Sequence, residues 1–529
     1  MSSYDPSSME YKITRIGDEQ STALTNDGSR NGDRKMYFQA ILDYNRIFKE
    51  VHDLNIMFLY NQEQYDINGP TTLFSSLPQR KQGVAGRVSY SYDGRYYIEG
   101  NFGYNGSENF AKGHRFGFFP SIAVGYNISN EKFWQPIKPV ISNLKIRGSW
   151  GLVGNDATNA GRFAYMEDLV LGGSDSYTTG IRQDTYYSGP SWNRYFNPDL
   201  TWEVGEKINL GLDLQLFNDF NLTFDIFREK RRDIFMTREN SIPEIVGTGE
   251  TKITSNNGEM ENKGLDLAID YNKQITKDFF LSFKSTLTFA RNKVLKMDEP
   301  PYFEYPGLSD VGHPLGTYWG YVADGLFPDQ ETIDNSPRQD LGYTPQPGDI
   351  KYVNQPNAKG EYDNVINSND RVAIGHPYDP ELVYGFGPSM KWKNWDFSFF
   401  FQGVARTSFM MYGMHPFGTT SIKNMLQFVA DDHWSVDNPN PNAAYPRLTK
   451  DSNGNNDQYS TYWLRNAAFL KLKNAEIGYT YKGMRFYLSG VNLLTFSPFK
   501  HWDPEMGGGN GLYYPTQRVF NIGFQMTIQ

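Results

Sequence analysis

Ile208–Leu216 and Phe279–Phe289 alternate apolar and polar residues with almost no errors. Ile208, Leu210, Leu212, Leu214 and Leu216 fall on one side, and Asn209, Gly211, Asp213 and Gln215 on the other. A period of two means an extended strand with one dry face and one wet face. The same pattern predicts strands near 36–47, 53–64, 84–92, 95–105, 115–128, 142–153, 203–217, 220–231, 259–272, 278–292, 381–392, 395–406, 467–482, 484–495 and 517–528. A short extra strand is expected near 10–17, and no helical period interrupts the series.

The connections between these strands alternate in length. Tyr92-Asp93-Gly94-Arg95 carries an Asp-Gly pair suited to a type I′ hairpin turn, which needs positive φ at both central residues. Phe217–Asp219, Lys273–Lys277, Lys393-Asn394 and Tyr481–Met484 also leave room only for tight turns. Between them lie long loops at about 154–201, 232–257, 293–380 and 407–466. Such loops are foreign to compact soluble domains, whereas outer-membrane barrels pair short periplasmic turns with long extracellular loops. The segment 129–141 is too long for its place in this scheme. The final stretch keeps Phe520, Ile522, Phe524, Met526 and Ile528 on one face up to Gln529, as the closing strand of a barrel does, although such strands usually end on an aromatic residue. If that end is periplasmic, counting back puts every long loop outside.

Composition narrows the choice. No run of about 18 apolar residues is present, so a transmembrane helix is excluded, but strands of about 9–11 residues suffice for a barrel. The 36 Tyr and 37 Phe fit aromatic girdles at two membrane interfaces, or equally the sugar-binding face of a soluble all-β protein. A net charge of −9 argues against nucleic acid as a partner. Without Cys, neither disulfides nor Cys-ligated metals contribute. Met1–Pro6 has neither the basic nor the apolar region of an export signal, so a barrel is expected to have lost its start here.

Several segments then carry a family likeness. They include Phe116–Trp134 (FGFFPSIAVGYNISNEKFW), Leu144–Asp156 (LKIRGSWGLVGND), Asn197–Glu203 (NPDLTWE), Asn209–Asp213 (NLGLD) and Gly312–Phe327 (GHPLGTYWGYVADGLF). Pro347–Tyr352 (PGDIKY), Asp396–Gly403 (DFSFFFQG), Phe469–Thr480 (FLKLKNAEIGYT), Ser489–Phe496 (SGVNLLTF) and Asp503-Pro504-Glu505 follow in order. In this order they resemble the barrel portion of the SusC/RagA family of TonB-linked outer-membrane transporters of Bacteroidetes. The resemblance implies an all-β antiparallel transmembrane barrel of about 22 strands around an N-terminal plug. About 15 or 16 of those strands are expected in 1–529, with the plug and the TonB-contacting box absent. A sheet of that size would leave two long edges in lipid, so by itself it is not expected to transport. The resemblance also implies import of oligosaccharides, or peptides in some members, with a SusD-like surface lipoprotein over the mouth and energy from the TonB complex. A soluble all-β carbohydrate-binding protein or glycosidase and a passive porin stand as alternatives.

Candidate chemistry is sparse. The seven His are scattered and none forms HExxH, so no catalytic residue, metal site or cofactor is expected. Asp451–Asp457 (DSNGNND) lacks the Gly and Glu placement of a calcium loop and reads as a polar turn. Aromatic loop residues are better candidates, because sugar rings pack flat C–H faces on aromatic planes. Tyr186, Tyr187, Trp192 and Tyr195 in the 154–201 loop, with Tyr318 and Trp319 in the 293–380 loop, are the candidate contacts for substrate or partner. For Tyr318 and Trp319 the competing role is packing within the loops. Asn209, Asp213, Asp225, Asp266, Asp270, Lys284 and Thr288 are expected on the wet face, lining a lumen.

Overall fold

The computed structural model describes residues 2–5, 10–13, 32–70, 72–157, 161–172, 176–238, 240, 242–246, 253–413, 417–418, 421–422, 426–449 and 452–526. Fifteen strands join in one antiparallel sheet in which each strand pairs with its neighbours in sequence. They are β1 (Gly32–Phe48), β2 (His52–Asn68), β3 (Gln79–Tyr92), β4 (Tyr96–Ser107), β5 (Phe116–Asn127), β6 (Ile141–Asn155), β7 (Glu203–Leu216) and β8 (Phe220–Arg238). Then come β9 (Ile253–Thr276), β10 (Phe279–Lys296), β11 (Leu382–Trp392), β12 (Trp395–Ala405), β13 (Phe469–Tyr481), β14 (Met484–Phe496) and β15 (Val519–Met526). Each of the fifteen expected stretches corresponds to one strand. Glu10–Ile13 is also extended, but it pairs with Ser2–Asp5 and not with the large sheet. Thr527, Ile528 and Gln529 lie outside the described residues.

Register explains how the alternation becomes a surface. Leu210 stands opposite Ile226, Ile226 opposite Leu265, Leu265 opposite Phe289, and Phe289 opposite Leu382. One apolar row therefore crosses five strands. Leu210 is 61% exposed and Ile226 53%. Leaving such side chains in water forfeits about 1.5–3 kcal/mol each, so this face is built for hydrocarbon. From Ile208 to Leu216 the apolar stripe rises about 20 Å at the tilt usual in barrels, close to the depth of a membrane core. Rings gather where the stripe meets the tight turns: Tyr96 stacks on Tyr126 with centroids 5.1 Å apart, and Trp395 packs on Tyr479 at 4.8 Å.

The tight turns sit at one end because β-meander connections alternate ends. Asp93 (φ 49°) and Gly94 (φ 60°) take the paired positive φ of the expected type I′ turn. The outsized 129–141 connection is compact after all. It folds as two 3-10 turns around Glu131, which accepts hydrogen bonds from Arg95 (2.9 Å) and Tyr96 (2.7 Å). The loop expected over 232–257 needs correction, since β8 runs on to Arg238 and β9 starts at Ile253. With 19, 24 and 18 residues, β8, β9 and β10 exceed the span of a bilayer and continue past the apolar stripe.

Because one sheet face is apolar and outward and the other polar, the densest core lies elsewhere. It forms among the connections 297–381, 406–468 and 497–518, where Tyr352, Ile350, Ile366, Phe409, Met411 and Trp463 are buried together. A smaller cluster packs Phe110, Ala164, Leu200 and Trp202. Leu200 and Trp202 belong to the NPDLTWE segment, whose Asn197 donates to the Thr254 carbonyl (2.6 Å). Its Trp202 donates to the Arg115 carbonyl (3.1 Å). The long connections are thus folded bodies with cores of their own.

Candidate functional site

The residues expected on the wet face do share it, and they bond to one another. Arg147 reaches Asp225 at 2.6 Å and Asp213 at 3.3 Å. Gly211 lies opposite Arg147 in the register, and any side chain there would strike the guanidinium. Thr288 donates to Asp266 (2.7 Å), and Lys284 stands 3.9 Å from Asp270. Asn209 follows the same parity on β7. These groups can hydrate a passage or bond a polar body placed against the sheet, and neither role needs covalent chemistry.

At the long-loop end, Asp349 of the PGDIKY segment is fully buried. Its carboxylate accepts from Arg447 Nε (2.7 Å), Asn453 Nδ2 (3.0 Å), Asn456 Nδ2 (2.8 Å) and the Gln346 amide (2.8 Å). Arg447 also donates to the Tyr343 hydroxyl at 2.7 Å. Asn455 donates to the Ile350 carbonyl (2.9 Å) and takes a hydrogen bond from Gln339. The Asn-rich stretch is a polar turn, as expected, and also a buried clasp: Asn453, Asn455 and Asn456 are all buried, while Asp451 lies outside the described residues. Buried amides of this kind stabilise only when their partners are complete, and here the partners come from a loop some hundred positions upstream. Gly348 makes the approach possible. Its φ is +88°, and a Cβ would run into the Trp434 ring. Gly348→Ala is expected to cost about 2 kcal/mol or more through left-handed backbone and overpacking together. Trypsin digestion of the purified protein should then cut faster at Arg447 than in the parent.

A second clasp joins the segment FLKLK to Asp503-Pro504-Glu505. Lys471, with no exposed side-chain surface, binds Asp503 at 2.6 Å and Glu505 at 2.5 Å. Lys473 reaches Glu505 at 2.8 Å. Burial pushes both carboxyls up, but the bonds from Lys471, Thr516 and the Glu505 amide to Asp503, and from Lys471 and Lys473 to Glu505, outweigh it and hold both below the ordinary carboxylate range.

Beside the Asp349 clasp opens a cleft of about 350 Å³, lined among others by Tyr412, Tyr445, Arg447, Asn456, Tyr459 and Trp463. Tyr412 and Tyr459 are about half exposed, and Trp463 donates to the Asn456 carbonyl (2.6 Å). Tyr318 meets Tyr459 edge to face at 6.5 Å, and burial pushes its phenol up to about 12. Trp319 stacks on His313 at 5.0 Å and donates to Asp310 (2.6 Å). Both rings are thus tied into the loop framework, with Tyr318 behind the cleft. Tyr186 and Tyr187 stand on a separate small hairpin, where Tyr187 stacks on Tyr177 at 5.2 Å. Trp192 stacks on Tyr195 at 5.6 Å, and both Tyr186 and Trp192 are exposed. Sequence reasoning passed over Tyr412, Tyr445, Tyr459 and Trp463. For Tyr445, Tyr459 and Trp463 the signal is present, since 438–463 mixes aromatics with Asn as densely as 154–201, whereas Tyr412 lies outside that stretch. Among the described residues, no three His, Asp or Glu side chains stand close enough together to hold a metal ion.

A meander of tilted amphipathic strands, dry outside and polar inside, with tight turns at one end and folded loops at the other, defines the wall of an outer-membrane β-barrel. The chain belongs to the TonB dependent receptor-like β-barrel family, whose model matches residues 2–493. It is 29% identical over 468 residues to the TonB-dependent receptor SusC of Bacteroides thetaiotaomicron, covering 83% of this chain and 43% of that protein. It is 27% identical over 478 residues to a TonB-dependent receptor of Formosa agariphila, covering 84% of this chain and 45% of the relative. The chain therefore spans about half the length of the curated relatives it matches. Among solved structures, the RagAB peptide transporter shares the fold with a TM-score of 0.71 at 21% identity, over 94% of this chain and 56% of that one. Barrels of this family lie in the outer membrane, which displaces the soluble alternative.

Proposed function

We propose that residues 1–529 form part of the barrel of an importer for oligosaccharides. The observation that carries this reading is the cleft, where exposed Tyr412 and Tyr459 stand beside Asn456 and Arg447. The flat exposed rings suit the C–H faces of a sugar, and the clasp residues Asn456 and Arg447 hold the wall of the cleft behind them. The stacked pairs Trp192–Tyr195 and Tyr177–Tyr187 add further exposed rings for the substrate or for a SusD-like lipoprotein seated on the loops. Substrate held there passes along the polar face, with the TonB complex supplying energy through a plug segment. The importer leaves its cargo chemically unchanged.

The test is uptake by intact cells with the gene deleted and then restored. Labelled oligosaccharides should enter only the restored strain, and a protonophore should stop them. Tyr412→Ala combined with Tyr459→Ala should reduce that uptake about tenfold, in line with the loss of two stacking contacts. Entry of labelled peptides with sugars excluded would reassign the cleft to peptide, the cargo of the RagAB transporter. Equal sugar uptake by the deleted strain would overturn the reading.

A further inference from the structure

Above the apolar row Ile226–Leu265–Phe289, the next outward row toward the long loops reads Arg228, Lys263, Arg291. These three cations face one another across three adjacent strands, over a width of about 10 Å. The row after that holds Lys230, Glu261 and Lys293. Like charges directly opposite in a sheet destabilise it, and the first of these rows contains no acid to relieve them. Glu261 reaches back down to Arg228 (2.6 Å) and Lys263 (2.7 Å), while Arg291 meets Glu381 at 3.1 Å. Even so, the side chains of Arg228, Lys263 and Arg291 remain more than half exposed. Lys293 has no ion-pair partner among the described residues. Around Lys263, Arg291 and Lys293 runs a groove of about 580 Å³, whose floor is Ile226, Leu265 and Phe289 and whose lining includes one acid, Glu261, already bonded to Arg228 and Lys263. In a chain of net charge −9, a cationic shelf seated on the upper edge of the lipid-facing stripe is a local reversal.

We propose that this shelf binds a phosphorylated glycolipid of the membrane leaflet on the long-loop side. Its acyl chains lie against Ile226, Leu265 and Phe289, and its headgroup phosphate sits among Lys263, Arg291 and Lys293. Charge and shape both favour this occupant: an anion next to hydrocarbon meets cations next to apolar side chains at the same depth. Guanidinium and ammonium donors bond phosphate strongly where water is partly excluded. Such a lipid would neutralise the row of like charges and hold β8, β9 and β10 where they leave the bilayer.

The experiment uses the protein purified from outer membranes in mild detergent, with monophosphorylated lipid A as probe and native mass spectrometry as readout. The parent should retain the lipid and bind it at least tenfold more tightly than the fully dephosphorylated form. Millimolar inorganic phosphate should not displace it, which separates a lipid site from a free-phosphate site. The triple variant Lys263→Gln, Arg291→Gln, Lys293→Gln should lose the preference for the phosphorylated form, whereas Lys284→Gln on the opposite face should keep it. Equal binding of the two lipid forms by the parent would overturn the proposal, and that comparison holds even if the variant folds poorly. Displacement by inorganic phosphate alone, or an acidic protein retained in place of lipid, would overturn it as well.

Discussion

Asp349→Ala is expected to release the loop assembly while leaving the sheet intact. The substitution strips Arg447 of its carboxylate and leaves the Asn453 and Asn456 amides without an acceptor, all in a buried setting. Removing one member of a buried ion pair costs about 3–5 kcal/mol, because the remaining charge stays desolvated. That is a large part of what a folded loop body of this size can hold, since net stabilities are only about 5–15 kcal/mol for a whole domain. The sheet depends on none of these bonds. Heat-modified migration on gels, which reports the barrel, should therefore stay as in the parent, while trypsin cleaves within 406–468 at least tenfold faster. Asp349→Asn keeps one acceptor oxygen and should fall between the two. A parent-like digestion pattern for Asp349→Ala would show that Arg447 and the asparagines are not what holds these loops together.

The two clasps mark the limit of what the sequence makes legible. Every strand of the sheet could be read locally, because the period of two repeats within a few residues and lipid enforces it along the whole stripe. The boundaries failed where lipid stops enforcing it. Beyond Arg231 and before Glu259 the polar residues Arg232-Asp233 and Ser255–Gly258 break the alternation, so the sequence predicts a loop over 232–257 where β8 and β9 in fact run on. The clasps failed for a different reason. PGDIKY and the Asn-rich run lie about a hundred residues apart, as Asp349 and Asn453 do, and nothing in either segment names the other. FLKLK and Asp503-Pro504-Glu505 were both recognisable as segments, yet their meaning is that one is the counter-charge of the other. The aromatic candidates divide along the same line. Locally stacked pairs such as Trp192 and Tyr195 follow from local sequence, whereas the rings of the cleft are brought together by long-range folding of 407–466.

Lys471→Met is expected to free the 497–518 connection and to reverse how it responds to acid. In the parent, Asp503 and Glu505 titrate below their ordinary values because Lys471 and Lys473, with the Thr516 hydroxyl and the Glu505 amide on Asp503, outweigh burial. Groups with depressed folded values contribute stability above the unfolded value of about 4, and lose it as pH falls through the folded value. The parent connection should therefore be protected from trypsin at Lys500 and Arg518 at neutral pH, and should loosen after preincubation below about pH 4. Methionine fills the buried space of Lys471 but brings no charge, and the part-buried Asp503 keeps only the Thr516 hydroxyl and the Glu505 amide as donors. Burial, the largest influence on this carboxyl, is then expected to outweigh those two and to raise its folded value above the unfolded one. Stability in the variant is accordingly lowest at neutral pH, by about 3 kcal/mol, and recovers as the carboxyl takes up a proton. Cleavage after Lys500 and Arg518 should be fast at pH 7 in the variant and slower after equilibration at pH 4.5, the opposite of the parent. Packing loss alone would speed cleavage equally at both values, so the sign of the pH effect separates a charge clasp from a merely well-filled site. A variant with the parent's pH dependence would assign the depressed carboxyls to Lys473 and the backbone instead.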